Sequence, residues 1–321
     1  MNKFILRQSC LLFLTALIWG VAFVAQSAGM DYVEPFTFNA VRSILGGIVL
    51  IPCIAFLTYW KKKRAAGAVT AVDVGSAQNG QRDTIKEPSQ KKLLYMGGIV
   101  CGILLCVASN FQQVGIQYTT VGKAGFITAL YIIIVPILGI FLHRRAGAKV
   151  WCGVFFALCG LYLLCMQSEL RLEKGDALVL VCAVTFSFHI MVVDYFSPKV
   201  DGVKMACIQF FVCGILSAVG MFLFEKPDIT QILAAWLPIL YAGVMSCGVA
   251  YTLQIVAQEG MNPTVASLIL SMESVVSVLA GWVILGETLS RRELMGCLLM
   301  MVAIILAQLP DKKRKKPEQD R

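Results

Sequence analysis

The stretch TVGKAGFITALYIIIVPILGIFLHRRAGAKVWCGVFFALCGLYLL, Thr120 to Leu164, is an apolar helical hairpin whose text returns near the end of the chain. The return is NPTVASLILSMESVVSVLAGWVILGETLSRRELMGCLLMMVAIIL, Asn262 to Leu306. At an offset of 142, Ala124 meets Ala266, Tyr131 meets Glu273 and Gly139 meets Gly281, and one slip in the turn puts Gly153 on Gly296. The front halves match at an offset of 167, which lays Thr15 to Gly20 on Cys182 to Ser187 and Arg42 on Gln209. Register kept through several apolar runs and their turns points to a duplicated unit, and duplication in an apolar chain is a signature of secondary transporters.

Composition sets the medium. Of 321 residues 58% are hydrophobic and 15% charged, with a mean hydropathy of +0.76, outside the range of soluble domains. A span needs about 20 mostly apolar residues, and ten runs qualify, near 10–30, 35–59, 93–115, 122–142, 150–167, 176–196, 203–224, 231–257, 262–285 and 291–309. The expected fold is therefore all-α, an integral membrane protein of ten transmembrane helices. Its first unit covers 1–167 with a linker at 61–92, its second 168–309, and a basic tail 310–321.

The net charge of +9 is an orientation signal and not a nucleic-acid footprint. Only Lys123, Arg171, Lys174, Lys226, Arg291 and Arg292 fall in connections on one side, and Arg42 lies within a span. The remaining Lys and Arg share the side of both termini, which the positive-inside rule assigns to the cytoplasm. The first 30 residues imitate a secretory signal, with Lys3, Arg7, an apolar run and Ala25-Gln26-Ser27. Their counterpart at 175–196 is internal, so the first helix is expected to stay in the mature protein. The 12 cysteines lie almost all in spans without a CxxC pair and read as small packing residues.

Polar residues inside spans are the candidate site. Asn39, Arg42, Ser43 and Gly46 share one helix face. A guanidinium in that position costs about 2.5 to 3.5 kcal/mol on insertion scales, so it faces the bundle, water or a partner. Snorkelling is the alternative, because Pro35 at the outer end is only about seven residues, or roughly 10 Å, away. Asn110, Gln113 and Gln117 form an amide stripe that Tyr251, Gln254 and Gln258 repeat at an offset of 141. Two such stripes read either as walls of a polar cavity or as hydrogen-bonding seams between helices. Glu273 sits roughly 16 Å along its span from Asn262, among small residues, where a carboxylate is either paired or protonated. Trp19, Tyr131, Tyr251 and Trp282 supply aromatic faces, and Pro136 is expected to kink the fourth span. His189 is either a proton relay or a hydrogen-bonded bundle histidine. Gly98 and Gly102 have the GxxxG spacing that lets helices approach closely.

Other chemistry finds no support in the chain. It has no GxxxxGK[ST] for ATP, no GxSxG or GxGD, and His143 and His189 are too few for HExxH. No catalytic residue, metal or cofactor is expected. The partners expected are a small-molecule metabolite, the lipid bilayer and protons through Glu273 or His189, with the choice between one copy and a homodimer left open.

Together LIWGVAF (17–23), FNAVRSILGG (38–47), QQVGIQYTTVGKAGFITALYIIIVPIL (112–138), GDALVLVCAVTFSF (175–188) and SMESVVSVLAGWVILGETLS (271–290) resemble the EamA-type transporters of the drug/metabolite transporter superfamily. The likeness spans 10–309 apart from the linker. It implies ten helices in two inverted five-helix repeats, cytoplasmic termini, and a central cavity through which small metabolites move, often outward. On that reading the substrate-binding residues are Trp19, Arg42, Asn110, Gln113, Gln117, Tyr131, Gln209, Tyr251, Gln254, Gln258 and Glu273, with Arg42 attracting a carboxylate or holding Glu273. Where the family commonly reads Leu-Glu-Pro, Glu273 is followed here by Ser274, which withdraws the proline kink beside the glutamate.

Overall fold

Apolar runs that cross a bilayer must satisfy their backbone within the segment, and the helix does so. The computed structural model describes residues 3–69, 87–118, 121–142, 147–165, 174–285 and 290–308, and among these there is no strand. In order the helices are α1 (Lys3–Gly29), α2 (Pro35–Val69), α3 (Glu87–Ile116), α4 (Val121–Thr128), α5 (Tyr131–Phe141), α6 (Ala148–Cys165), α7 (Lys174–Phe196) and α8 (Gly202–Phe224). Then come α9 (Ile229–Ala234), α10 (Trp236–Leu240), a π-helix (Tyr241–Ala250), α11 (Tyr251–Gln258), α12 (Pro263–Leu270), α13 (Met272–Leu285) and α14 (Arg291–Gln308). By length and composition, seven stretches are able to cross a membrane: Lys3–Gly29, Pro35–Tyr59, Gln90–Ile116, Lys174–Phe196, Gly202–Phe224, Trp236–Gln258 and Pro263–Ile284. Tyr131–Phe141, Ala148–Leu163 and Leu294–Leu306 are shorter apolar helices. The chain is an all-helical, multi-pass membrane protein.

Helix starts follow the local chemistry. Asp201 accepts from the amides of Val203 and Lys204 at 3.2 Å to begin α8. Asn262 accepts from Thr264 N at 2.9 Å and Pro263 takes the first position of α12, where a missing N–H costs nothing.

Four expectations need correction. The segment 61–92 was expected to be a linker throughout, yet α2 runs on to Val69, since Lys, Arg and Ala prolong an established helix cheaply. At its other end α3 begins at Glu87 with Pro88 in the first turn, which leaves 70–86 outside the described residues, as are the tail from 309 and His143. The fourth span is two helices, parted at Ala129–Leu130 and not at Pro136. The ninth is also two, parted at Ser271 even though no proline follows Glu273. The eighth is interrupted by the ten-residue π-helix, whose wider turn rotates every later residue relative to an α-helical reading.

The molecule is polar inside and apolar outside. Gln113, His189, Gln209 and Ser271 are fully buried, while Phe141, Phe222, Phe224 and Val283 stand out on the surface. Such an arrangement suits lipid and would be unstable in water. One apolar core joins Leu12, Ile132, Leu161, Leu268 and Met300, and a second joins Leu50, Leu105, Phe196, Met205, Phe210 and Ile255. The main helix pairs are α6 with α14, α2 with α8, α3 with α7 and α8, α1 with α13, and both α1 and α2 with the π-helix. The Gly98 and Gly102 face meets α8: a Cβ on Gly98 would lie 2.5 Å from Ile208 Cγ2, and one on Gly102 2.6 Å from Val212 Cβ. GxxxG here is a packing seam.

Candidate functional site: a cavity at two broken helices

Where α4 ends, the chain makes a tight turn in which Leu130 N donates to Ile127 O at 3.1 Å and Ile132 N to Ala129 O at 3.0 Å. Pro136, lacking an amide hydrogen, then leaves the Ile132 carbonyl without its usual helical donor. Where α12 ends, Ser271 returns its hydroxyl to Leu268 O at 2.7 Å and Ser274 N donates to Ser271 O at 3.1 Å. The breaks lie 142 positions apart, and so do Tyr131, the first residue of α5, and Glu273, the second of α13. These two meet: the Tyr131 hydroxyl donates to Glu273 Oε1 at 2.9 Å. Glu273 lies in the first turn of α13, where the exposed amide ends favour negative charge. Ser274 Oγ donates to Gly125 O at 3.3 Å and ties α13 to α4.

Both residues line a narrow cavity of about 40 Å³, which in this conformation has room for a few water molecules. Of the residues singled out in the sequence, Trp19, Arg42, Tyr131, Tyr251, Gln254 and Glu273 line it. The Trp19 and Tyr251 rings pack with centroids 4.5 Å apart. Arg42 is 6% exposed, so it does not snorkel to the surface. It does not hold Glu273 either: among the described residues no carboxylate forms an ion pair with it, and its Nε has no partner. Its helix is fixed from outside the cavity by Glu225, whose carboxylate accepts from the amides of Phe36 and Thr37 at 2.7 Å each. Unpartnered buried atoms mark the cavity wall: Trp19 Nε1, Arg42 Nε, and one end of each amide of Gln26 and Gln254.

The other candidates lie elsewhere. Asn110 donates to Ser217 Oγ and Cys106 O at 2.8 Å and accepts from Asn39 at 3.0 Å, a seam joining α2, α3 and α8. Gln113 Nε2 donates to Gln26 O at 3.3 Å, and Gln117 is exposed at the end of α3. Gln209 faces His189, with Oε1 3.2 Å from Nε2, and the His189 ring stands edge-on to Tyr251 behind the wall. Gln258 is buried away from the cavity with neither amide atom paired. Trp282 is half exposed on the outer face of α13. No disulfide forms among the described cysteines.

Sequence reasoning missed Gln26, Gln112, Thr128 and Ser246 on the cavity wall. Gln26 had a signal, because Trp19, Phe23 and Gln26 recur at i, i+4 and i+7. Gln112, which donates to Thr128 Oγ1 at 3.3 Å, lies one residue away from the stripe that was read.

Comparison with known proteins agrees with this architecture. An uncharacterized transporter of Archaeoglobus fulgidus is 29% identical over 298 residues, covering 92% of this chain and 84% of its own. The uncharacterized inner membrane transporter YedA of Escherichia coli K12 is 23% identical over 304 residues, 93% of this chain and 89% of its own. One crystal structure superposes with a TM-score of 0.70 at 19% identity, over 94% of this chain and 96% of that one, which shows a shared fold. The sequence model of the EamA-like transporter family matches twice, at residues 6–166 and 173–309, and the chain belongs to that family.

Proposed function

We propose that the protein is a secondary transporter that exports small polar or amphipathic metabolites across the cell membrane by alternating access. Ten spanning helices form two inverted repeats, 1–167 and 168–309, with both termini in the cytoplasm. The inversion follows from the odd count, since five crossings deliver the second copy upside down. Exchange of conformation between inverted copies then interconverts inward-open and outward-open states of similar energy. The contact pattern supports the pairing: α1 packs on α13 as α7 packs on α5, and α2 packs on the π-helix as α8 packs on α3. The two family matches support the same division.

The observation that carries the reading is the bond between Tyr131 and Glu273, which joins the two breaks on the wall of a polar cavity. Glu273 is also the candidate proton carrier, with His189, which stands against Tyr251, as the second candidate. The test is counterflow: proteoliposomes with the purified protein, preloaded with an unlabelled metabolite, should accumulate the labelled compound above protein-free liposomes. A broad metabolite panel with no counterflow would end the transport reading. The rival is a non-transporting membrane scaffold or sensor. What favours it is that Asn110 and Gln113 are taken up in helix-to-helix bonds, and it predicts that no small molecule raises the melting temperature.

A further inference from the structure

Resting on that transport reading, we propose that the cavity is built for a cargo bearing a single carboxylate, received by Arg42 and flanked by the rings of Trp19 and Tyr251. A guanidinium removed from water is tolerated when an opposite charge and hydrogen bonds replace its hydration. Arg42 is buried and lines the cavity, yet its Nε meets no acceptor. The acid that shares the cavity, Glu273, takes its hydrogen bond from Tyr131. One contact of Arg42 is with the Phe38 ring, 5.4 Å from the guanidinium carbon to the centroid, and an aromatic face brings no full negative charge.

A second donor tells the same story. Trp19 Nε1 is buried on the same wall without an acceptor, and indole N–H can only donate. Two leftover donors, one of them charged, call for anionic oxygen on the ligand, and the two leftover acceptors on the same wall, Gln26 Oε1 and Gln254 Oε1, leave room for a donor elsewhere on it. A planar guanidinium matches the two oxygens of a carboxylate in a bidentate pair. One positive charge balances one negative charge, whereas a phosphate monoester would bring nearly two. The Trp19 and Tyr251 rings, 4.5 Å apart, supply the apolar surface for the carbon part of the cargo.

The experiment is a thermal-shift titration of the full chain in detergent with butyrate, phenylacetate, leucine and phenylalanine, each beside its primary amide. Acids should raise the melting temperature at concentrations at least tenfold below those their amides require. Arg42→Gln should erase that difference, while Arg42→Lys, which keeps the charge and loses the fork, should retain part of it. The wild-type comparison of acid with amide stands whether or not the variants fold. Amides equal to acids, an acid preference that survives Arg42→Gln, or no shift with any acid would each overturn the proposal. Counterflow of a neutral or cationic compound that is unaffected by Arg42→Gln would remove the carboxylate site and leave transport standing. Acid binding without any flux would do the reverse.

Discussion

In the first half of the chain the break falls at Ala129–Leu130 and α5 restarts on Tyr131; in the second it falls at Ser271 and α13 restarts with Met272 and Glu273. The first half reaches the break with apolar residues and a downstream proline. The second reaches it with serines, whose hydroxyls return to carbonyls one turn back: Ser267 to Thr264 at 2.9 Å, Ser271 to Leu268 at 2.7 Å, and Ser277 to Ser274 at 2.9 Å. The same backbone device is thus reached by different side chains. The chemistry delivered there also differs, a phenol in one copy and a carboxylate in the other. The second helices diverge likewise: Arg42 lines the cavity without a counter-charge, whereas its counterpart Gln209 is paired with His189. On the alternating-access cycle proposed above, a frame that adopts two mirrored conformations gains from symmetry. A cargo site as proposed does not, and one half brings it a guanidinium where the other brings a carboxyl group.

The largest expected effect comes from erasing that difference at the break. Glu273→Gln keeps the shape and the acceptor for Tyr131 but removes the ionisable group, so counterflow should fall to the level of protein-free liposomes and any response to a pH gradient should vanish. Tyr131→Phe keeps the acid and loses one hydrogen bond, worth about 0.6 to 1.7 kcal/mol between membrane helices. That corresponds to roughly a 3- to 20-fold drop in initial rate. The double variant should be no worse than Glu273→Gln alone. Flux retained in Glu273→Gln would mean that the second break holds the helices and does not serve the cargo.

How much of this was legible follows from what a pattern can specify. Duplication put Tyr131 opposite Glu273 and Arg42 opposite Gln209, because register survives divergence, and the apolar runs located the helices but not where α1, α2 and α3 extend beyond them. The breaks were not legible. Ala129, Leu130 and Ser271 are not helix breakers, and the one proline nearby lies beyond the turn it loosens. The stripe of Asn110, Gln113 and Gln117 fixed a helix face without saying what that face meets. An amide satisfied by Ser217 on α8 and one satisfied by a ligand look alike in sequence. Gln112, rotated by about 100° from Gln113, was the residue on the cavity. In α11 the π-helix upstream changes which residues share a face, and nothing in YAGVMSCGVA announces it.

A smaller effect tests how closely the first helix must approach each break. A Cβ on Gly20 would lie 2.4 Å from Val276 Cβ and 2.8 Å from the Glu273 carbonyl oxygen, so Gly20→Ala forces α1 away from α13 beside the acid. Overpacking of this kind costs about 1 to 3 kcal/mol, readable as a lower unfolding midpoint in detergent. The counterpart is Ser187, fully buried on α7, whose hydroxyl returns to Ala183 O at 2.7 Å. Ser187→Ala fits the space already made and should cost under about 1 kcal/mol. Equal losses at the two positions would show that the halves demand the same closeness, against the difference drawn above.

The smallest effects separate the two amide stripes. Asn110→Ala strips Ser217 and Asn39 of a partner in the seam between α2, α3 and α8, and should lower stability by about 1 to 2 kcal/mol while folded protein transports within about twofold of wild type. Gln254→Ala, on the cavity wall, should do the opposite, with flux reduced several-fold at nearly unchanged stability. Gln117→Ala should do neither, staying within about 0.5 kcal/mol, because its side chain is exposed at the end of α3 and is not on the wall of the cavity that Glu273 lines. If Gln117→Ala slowed counterflow as Gln254→Ala does, the end of α3 would have to turn inward at another stage of the cycle. The inverted relation would then put the two stripes on the cavity wall alternately, one in each open state, and the asymmetry between them would belong to this conformation and not to the protein.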